Sequence, residues 1–209
     1  MTLRDSFHPS CMSYLFLDTS HLPTIGLLDS NFEWVEYKVF ENNKSSQFIH
    51  HEINELLIRA GSDIKKIEAM ILCSGPGSYT GMRVGEGIAQ VLEWQGIETY
   101  SFYHFNVPFY MGIKKGHWVA NAFKGEYFLF SWDENGINKK LINIEDLKSE
   151  NYKEMYSIDK ELGTQVKLVS TINLIKENSS VVFKKIVLNK QREKAYYYRT
   201  LEEEFNKSE

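Results

Sequence analysis

Apolar residues recur along this chain with two periods, and the switches between them mark out its elements. Tyr14-Leu15-Phe16-Leu17-Asp18 reads as a strand, and Ile25–Leu28 and Trp34–Phe40 read as the next strands of an antiparallel meander. Asp29-Ser30-Asn31 supplies the turn between those two. From Ser46 to Ala60 the period becomes helical: Phe48, Ile49, Ile53, Leu56, Leu57 and Ala60 share a face, and Gly61 ends the segment. Ala69–Cys73 is almost continuously apolar, as a strand buried on both faces should be. A glycine-rich turn follows, then a helical segment to about Gln95 and a strand near Glu98–Phe102.

Pro108, Gly112 and Gly116 interrupt the pattern across Asn106–Gly116 and suggest a boundary there. Beyond it, Trp118–Ala122 and Glu126–Trp132 read as a hairpin. Lys139–Ile144, Met155–Ile158 and Val181–Phe183 read as further strands, and Val169–Glu177 as a helix. The expectation is an α/β protein whose first half runs strand, strand, strand, helix, strand, helix. No internal repeat or low-complexity tract is visible.

The candidate chemistry centres on Gly75-Pro76-Gly77-Ser78-Tyr79-Thr80-Gly81-Met82-Arg83-Val84-Gly85. Strand, glycine turn and helix together leave backbone N–H groups free at a helix start, where the macrodipole favours an anion. Gly75 and Gly77 permit a sharp bend and close approach, and Ser78 or Thr80 suits the N-cap. The run is not a Walker A loop, because Met82-Arg83 stands where Lys-Ser/Thr is needed. Thr80 breaks the dinucleotide fingerprint, and Pro76 and Thr80 break a nucleophile elbow around Ser78. Spacing alone leaves phosphate binding and a plain strand-to-helix turn level. The phosphate-facing candidates are Asp18, Thr19, Gly75, Gly77, Ser78 and Thr80, with Thr19-Ser20 and Gly75–Ser78 as opposing lips of a cleft. For Asp18 itself, an Asp/Ser turn closing a hairpin is the favoured reading.

Gly81, Gly85 and Ala89 fall four apart on one helical face. Glycine inside a helix costs up to ~1 kcal/mol relative to alanine, so this stripe needs a packing reason. It either packs on the domain's own elements or forms a subunit seam, bordered by Met82, Arg83, Glu86 and Gln90. Arg83 is then a candidate ionic contact. The six histidines include no pair four apart, and the adjacent His50-His51 diverge on a helix by about 100°. No Cys/His cluster has zinc-finger spacing, so no metal site is expected. Lys65-Lys66 and Lys184-Lys185 read as solvated surface.

At 209 residues, 43% hydrophobic and 14% aromatic, the chain can build a real core. A net charge of −4 argues against its being the main RNA- or membrane-gripping surface. Two cysteines, Cys11 and Cys73, make no disulfide framework. No window approaches the ~20 apolar residues of a membrane span, and Met1–Ser13 lacks a signal-peptide h-region. The cytoplasm is the default, with residues 1–12 an N-terminal extension.

The glycine run closely resembles the G-P-G-S-[FY]-T-G-[LM]-R-[IV]-G signature of the TsaB (YeaZ) family of tRNA threonylcarbamoyladenosine biosynthesis. Tyr14–Ser20 resembles that family's opening strand. Lys124-Gly125-Glu126-Tyr127 resembles its second-half motif, and Ala195-Tyr196-Tyr197-Tyr198-Arg199 its ending. The likeness is tight over residues 14–96 and loose beyond. It implies an actin-like, ribonuclease H-like superfold of two α/β subdomains with mixed sheets flanked by helices, residues 13–107 and a reduced 108–209. In catalytic members of that superfold an acidic residue at the position of Asp18 helps hold a metal–nucleotide.

The resemblance also implies a non-catalytic scaffold subunit. Its partners would be a TsaD-like subunit, paired through first-domain helices, and a TsaE-like ATPase. It would homodimerise in isolation, meet tRNA through the complex and bind no cofactor alone, with ATP/ADP and Mg entering in the complex. The rival expectation is an active small-molecule kinase or ATPase using Asp18 and Gly75–Gly81. A peptidase lacks a base partner for any Ser or Cys. Three segments depart from the family pattern: Lys44-Ser45-Ser46-Gln47, Asn121-Ala122-Phe123, and Ser101-Phe102-Tyr103-His104-Phe105 where Ser-Ser-Leu is usual.

Overall fold

A computed structural model describes residues 13–41, 48–122, 125–150, 152–163 and 165–198. The expected extension 1–12, Lys44–Gln47, Phe123-Lys124 and Arg199 lie outside those residues.

The first sheet has five strands in the order β3-β2-β1-β4-β5: β1 (Ser13–Asp18), β2 (Thr24–Leu28), β3 (Trp34–Val39), β4 (Ile67–Cys73) and β5 (Glu98–Phe102). β1–β2–β3 form the antiparallel meander, while β4 and β5 run parallel to β1. All six residues of β1 are buried because the strand is central and both sheet faces are covered. Leu15 and Leu17 point to helices α1 (Ile49–Arg59) and α2 (Tyr79–Trp94), meeting Ile49, Ile53, Leu56, Ala89 and Leu92. Tyr14 and Phe16, one residue out of phase, point to the opposite face. That face is closed by α3 (Val107–Tyr110) and by two later helices, α5 (Thr171–Glu177) and α6 (Ser179–Leu188).

The second sheet is β6 (Gly116–Asn121), β7 (Glu126–Asp133), β8 (Gly136–Asn143), β9 (Glu154–Ser157) and β10 (Lys167–Ser170), in the order β10-β9-β6-β7-β8. Its pairings repeat those of the first sheet: two antiparallel steps outward from β6 on one side, two parallel steps on the other. The α/β class and the doubling are as expected, although the sequence shows no repeat. Between β8 and β9 only α4 (Ile144–Ser149) remains, and no helix joins β9 to β10 among the described residues.

Two element readings need correction. Val181–Phe183 is helical, part of α6, not a strand. Its β-branched run packs Val182, Phe183 and Ile186 onto the first sheet, with Phe183 against Phe16, Trp34 and Phe102. Tertiary burial here overrides local β-propensity. Val169–Glu177 divides: Ser170 ends β10 and then caps α5 through Oγ, which accepts the Asn173 N–H.

Candidate functional site

The glycine turn folds onto the turn after β1. Gly75 adopts φ +101° and its carbonyl accepts the His104 N–H at 2.8 Å. The Ser78 N–H donates to the Ser20 carbonyl at 2.6 Å, and Thr19 Oγ1 donates to the Gly81 carbonyl at 2.7 Å. A Cβ on Gly77 would stand 2.1 Å from the Ser20 oxygen, and one on Gly81 1.9 Å from the Thr19 oxygen. These glycines therefore admit another stretch of backbone. The expected opposing lips are in contact, so the phosphate cradle is corrected to a closed joint. Asp18, Thr19 and Gly75 are buried within it, and Gly77 is half-buried. Ser78 and Thr80 are exposed, and Ser78 Oγ caps α2 by accepting the Gly81 N–H at 3.2 Å.

Below this joint lies a polar cluster in an otherwise apolar interior. His104 Nε2 stands 2.9 Å from an Asp18 carboxylate oxygen, and both residues are essentially inaccessible, at 0% and 3% exposure. Ser20 donates to Asp18 Oδ1 from its N–H at 2.9 Å and its hydroxyl at 2.7 Å. Burial pushes the Asp18 carboxyl up, but His104 and the Ser20 donors outweigh it and hold the group below the usual carboxylate range. Cys73 at the end of β4 completes the cluster. Burial, reinforced by the Asp18 charge, pushes its thiol well up. Sequence spacing could not reveal this grouping, because Asp18, Cys73 and His104 come from three separate elements. The one signal was that His104 lies in Ser101–Phe105, a segment that departs from the family's usual Ser-Ser-Leu.

Along α2 the structure reverses the expected seam. A Cβ on Gly85 would meet Thr19 Oγ1 at 2.7 Å and Leu72 at 3.0 Å, and Ala89 and Met82 are buried at 0% and 2%. The Gly81-Gly85-Ala89 stripe thus seats α2 on its own sheet. Glu86 is also engaged internally, its carboxylate held by two Arg192 nitrogens at 2.6 and 3.2 Å. Arg83 and Gln90 do face outward, and the Arg83 guanidinium lies over the Tyr79 ring at 4.3 Å.

The outward face of α2 is Arg83, Gly87, Gln90, Val91 and Trp94. Trp94 is 83% exposed, and a Cβ on Gly87 would meet nothing within 4 Å. Between this face and α1 runs a groove of about 490 Å³. Ile53, Asn54 and Leu57 line one side, and Arg83, Gly87 and Val91 the other. Sequence reasoning missed Gly87, Val91 and Trp94. A helical projection carries the signal, since Gly87 lies two residues, hence about 200°, from Gly85.

Residues 191–198 cross from the first sheet to the second. Ser101 N–H donates to the Gln191 carbonyl, and Tyr196 N–H to the Ser74 carbonyl. The Tyr196 ring meanwhile packs on Phe105 and Phe128.

Comparison with known proteins places this geometry. Over 90% of this chain and all of the other, the fold superposes on an uncharacterized Pseudomonas aeruginosa protein with similarity to peptidase YEAZ, with TM-score 0.59 and 15% identity. YeaZ from Pseudomonas aeruginosa gives 0.58 at 16% identity, over 85% of this chain and 94% of that one. By fold, the chain is an actin-like, ribonuclease H-like α/β protein. Residues 41–106 match the family model described as TsaD, tRNA N6-adenosine threonylcarbamoyltransferase. A 40-residue stretch is 48% identical to the tRNA threonylcarbamoyladenosine biosynthesis protein TsaB of Haemophilus influenzae. That stretch is 19% of this chain and spans only 17% of that relative's length. Within that fold the chain is thus similar to TsaB over a short stretch and to YeaZ in the arrangement of its sheets and helices. Among the described residues, no helix is long and apolar enough to cross a membrane.

Proposed function

We propose that this chain serves tRNA threonylcarbamoyladenosine biosynthesis as a non-catalytic subunit, docking a TsaD-like protein along the α1–α2 face. The observation that carries this reading is the solvent-facing surface of α2, where Arg83, Gly87, Val91 and Trp94 line up beside an apolar groove. Exposed apolar side chains around an unobstructed glycine let a partner helix approach closely, and an aromatic and an arginine are the anchors that interfaces favour. The local likeness to TsaB supports the pathway. The docking residues are thus Arg83, Gly87, Gln90, Val91 and Trp94 in place of the buried stripe. Nucleotide and Mg belong to the assembled complex, and contact with a TsaE-like ATPase and with tRNA follows from assembly.

The closed joint between Thr19-Ser20 and the glycine turn speaks against the kinase reading. Its close-approach positions are already filled by backbone, and the Ser78 N–H that would face a phosphate is engaged.

Gly87→Arg tests the docking face. The side chain would enter open space, so stability should stay within about ±0.5 kcal/mol, measured by urea denaturation. Co-purification with the organism's TsaD-like protein should be lost. Undiminished co-purification by a folded Gly87→Arg chain defeats the docking surface. Failure of the unaltered chain to bind defeats the function itself.

A further inference from the structure

The three parallel strands of the first sheet end side by side, and each delivers a different donor to one point. β1 ends in Asp18 and β4 in Cys73, which are register partners, and His104 follows β5 by two residues. In open α/β sheets this carboxyl end of the strands is where ligands sit. The Asp18 carboxylate, Cys73 Sγ and a His104 ring nitrogen all lie within 4.8 Å of one another, and all three residues are buried. Ser20 Oγ stands 3.1 Å from His104 Nε2 and 2.7 Å from Asp18 Oδ1, adding a fourth, neutral donor.

We propose that Asp18, Cys73, His104 and Ser20 form a four-coordinate site for a thiophilic divalent cation of the zinc class. One sulfur, one imidazole nitrogen and oxygen donors are a zinc-type set, whereas magnesium and calcium need more oxygens than this pocket offers. Zinc bonds of about 2.0–2.3 Å put tetrahedral ligands roughly 3.3–3.8 Å apart. Cys73 therefore closes in a little while the Asp18–His104 pair opens a little. Backbone anchors hold the donors near that geometry: the His104 N–H is fixed on Gly75, and the Ser20 N–H on Asp18.

Binding forms one bond to sulfur, one to nitrogen and two to oxygen. It releases the thiol proton, and His104 coordinates as a neutral imidazole with its one ring proton on the other nitrogen. Thiolate and carboxylate then cancel the metal's two charges, leaving a neutral centre suited to the dry interior. The thiol's present weak contact, 3.9 Å to the Gly75 carbonyl, is a small loss in that exchange. This site stands independently of the docking reading, since it lies beneath the glycine turn and away from the outer face of α2.

The test uses the full chain carrying Cys11→Ser, so that Cys73 is its sole thiol. It is expressed without a polyhistidine tag in medium supplemented with zinc or, separately, cobalt. We expect one metal ion per chain by mass spectrometry after dialysis. The cobalt form should show a near-ultraviolet thiolate-to-cobalt charge-transfer band. Cys73→Ala in the same background should abolish that band, and Asp18→Asn should weaken metal retention by more than the ~10–100-fold that a change beyond the direct ligands costs. Should either variant fail to fold, X-ray absorption of the zinc-loaded Cys11→Ser chain decides alone, with one sulfur expected among nitrogen and oxygen neighbours. Substoichiometric metal, a shell without sulfur, or a charge-transfer band that survives Cys73→Ala overturns the proposal. Persistence of TsaD-like binding in the Cys73→Ala chain keeps this outcome separate from the docking test.

Discussion

The two sheets share one strand order and differ in everything laid over it. The first is sandwiched: α1 and α2 cover one face, and α3, α5 and α6 the other. The second keeps the same pairings but replaces its crossovers with the short α4 and a stretch containing no described helix. It compensates with rings. Phe105, Trp118, Phe128, Phe130 and Trp132 form a packed aromatic layer on one side. The lesson is that strand order is a scaffold, and that the crossover helices supply the grooves and crevices laid over it. The half that retained them holds the apolar groove and the buried polar cluster.

The sharpest break of this comparison is Phe183→Ala. Its ring joins α6 to Phe16, Trp34 and Phe102, so a residue far along the chain stabilises the first sheet. We expect a loss of ~3–5 kcal/mol in urea denaturation. Hydrogen exchange should quicken most in β1 and β5, with the second sheet less affected. Equal quickening in both sheets would contradict the division drawn here.

A smaller effect is expected from Arg192→Ala. Its guanidinium ties residues 191–198 to Glu86 and Glu93 of α2, but all three side chains remain partly solvated. The change should cost about 1 kcal/mol or less, and the loss should shrink in high salt. Thermal melts at low and high ionic strength would show it.

The smallest effect is a pH dependence confined to the second sheet. Burial holds the His117 imidazole below its ordinary value, against the pull of Glu150 and Asp133, while its Nδ1 sits 2.9 Å from Ser131 Oγ. The folded chain thus binds this proton less readily than the unfolded chain. The resulting stability is fully present above the unfolded value of about 6.5 and is lost as pH falls from there through the lower folded-state value. Titration of His117 by NMR should give a midpoint below 6.5, and His117→Phe should flatten that part of the stability profile. A midpoint above the ordinary value would refute the assignment.

The sequence disclosed most of the first sheet, because Leu15-Phe16-Leu17 and Ala69–Cys73 are too apolar and too short to be anything but central strands. It also disclosed the glycine turn, since so dense a set of small residues needs close backbone contact. What that contact would be was not readable. Gly77 and Gly81 admit Ser20 and Thr19, residues brought there only by the sheet. The same limit applied to α2, where Gly85 and Gly87 look alike in a string of letters and face opposite ways in space. His104 lies in a segment that departs from the family pattern, but its partners were fixed by strand adjacency and not by spacing. Val181–Phe183 misled because β-branched residues also suit a helix once its face is fully buried.

Residues 171–198 leave the ribosome after both sheets have been made, yet they supply Val182, Phe183 and Ile186 to the first and Tyr196 to the second. Until they emerge, Phe16 and Phe102 lack the Phe183 ring that covers them on that side, and α3 alone closes the face. A nascent chain must therefore carry a wet, greasy flank through much of its translation. Chaperones that shelter such flanks should bind stalled chains ending before residue 171 and release the full-length chain once it has left the ribosome.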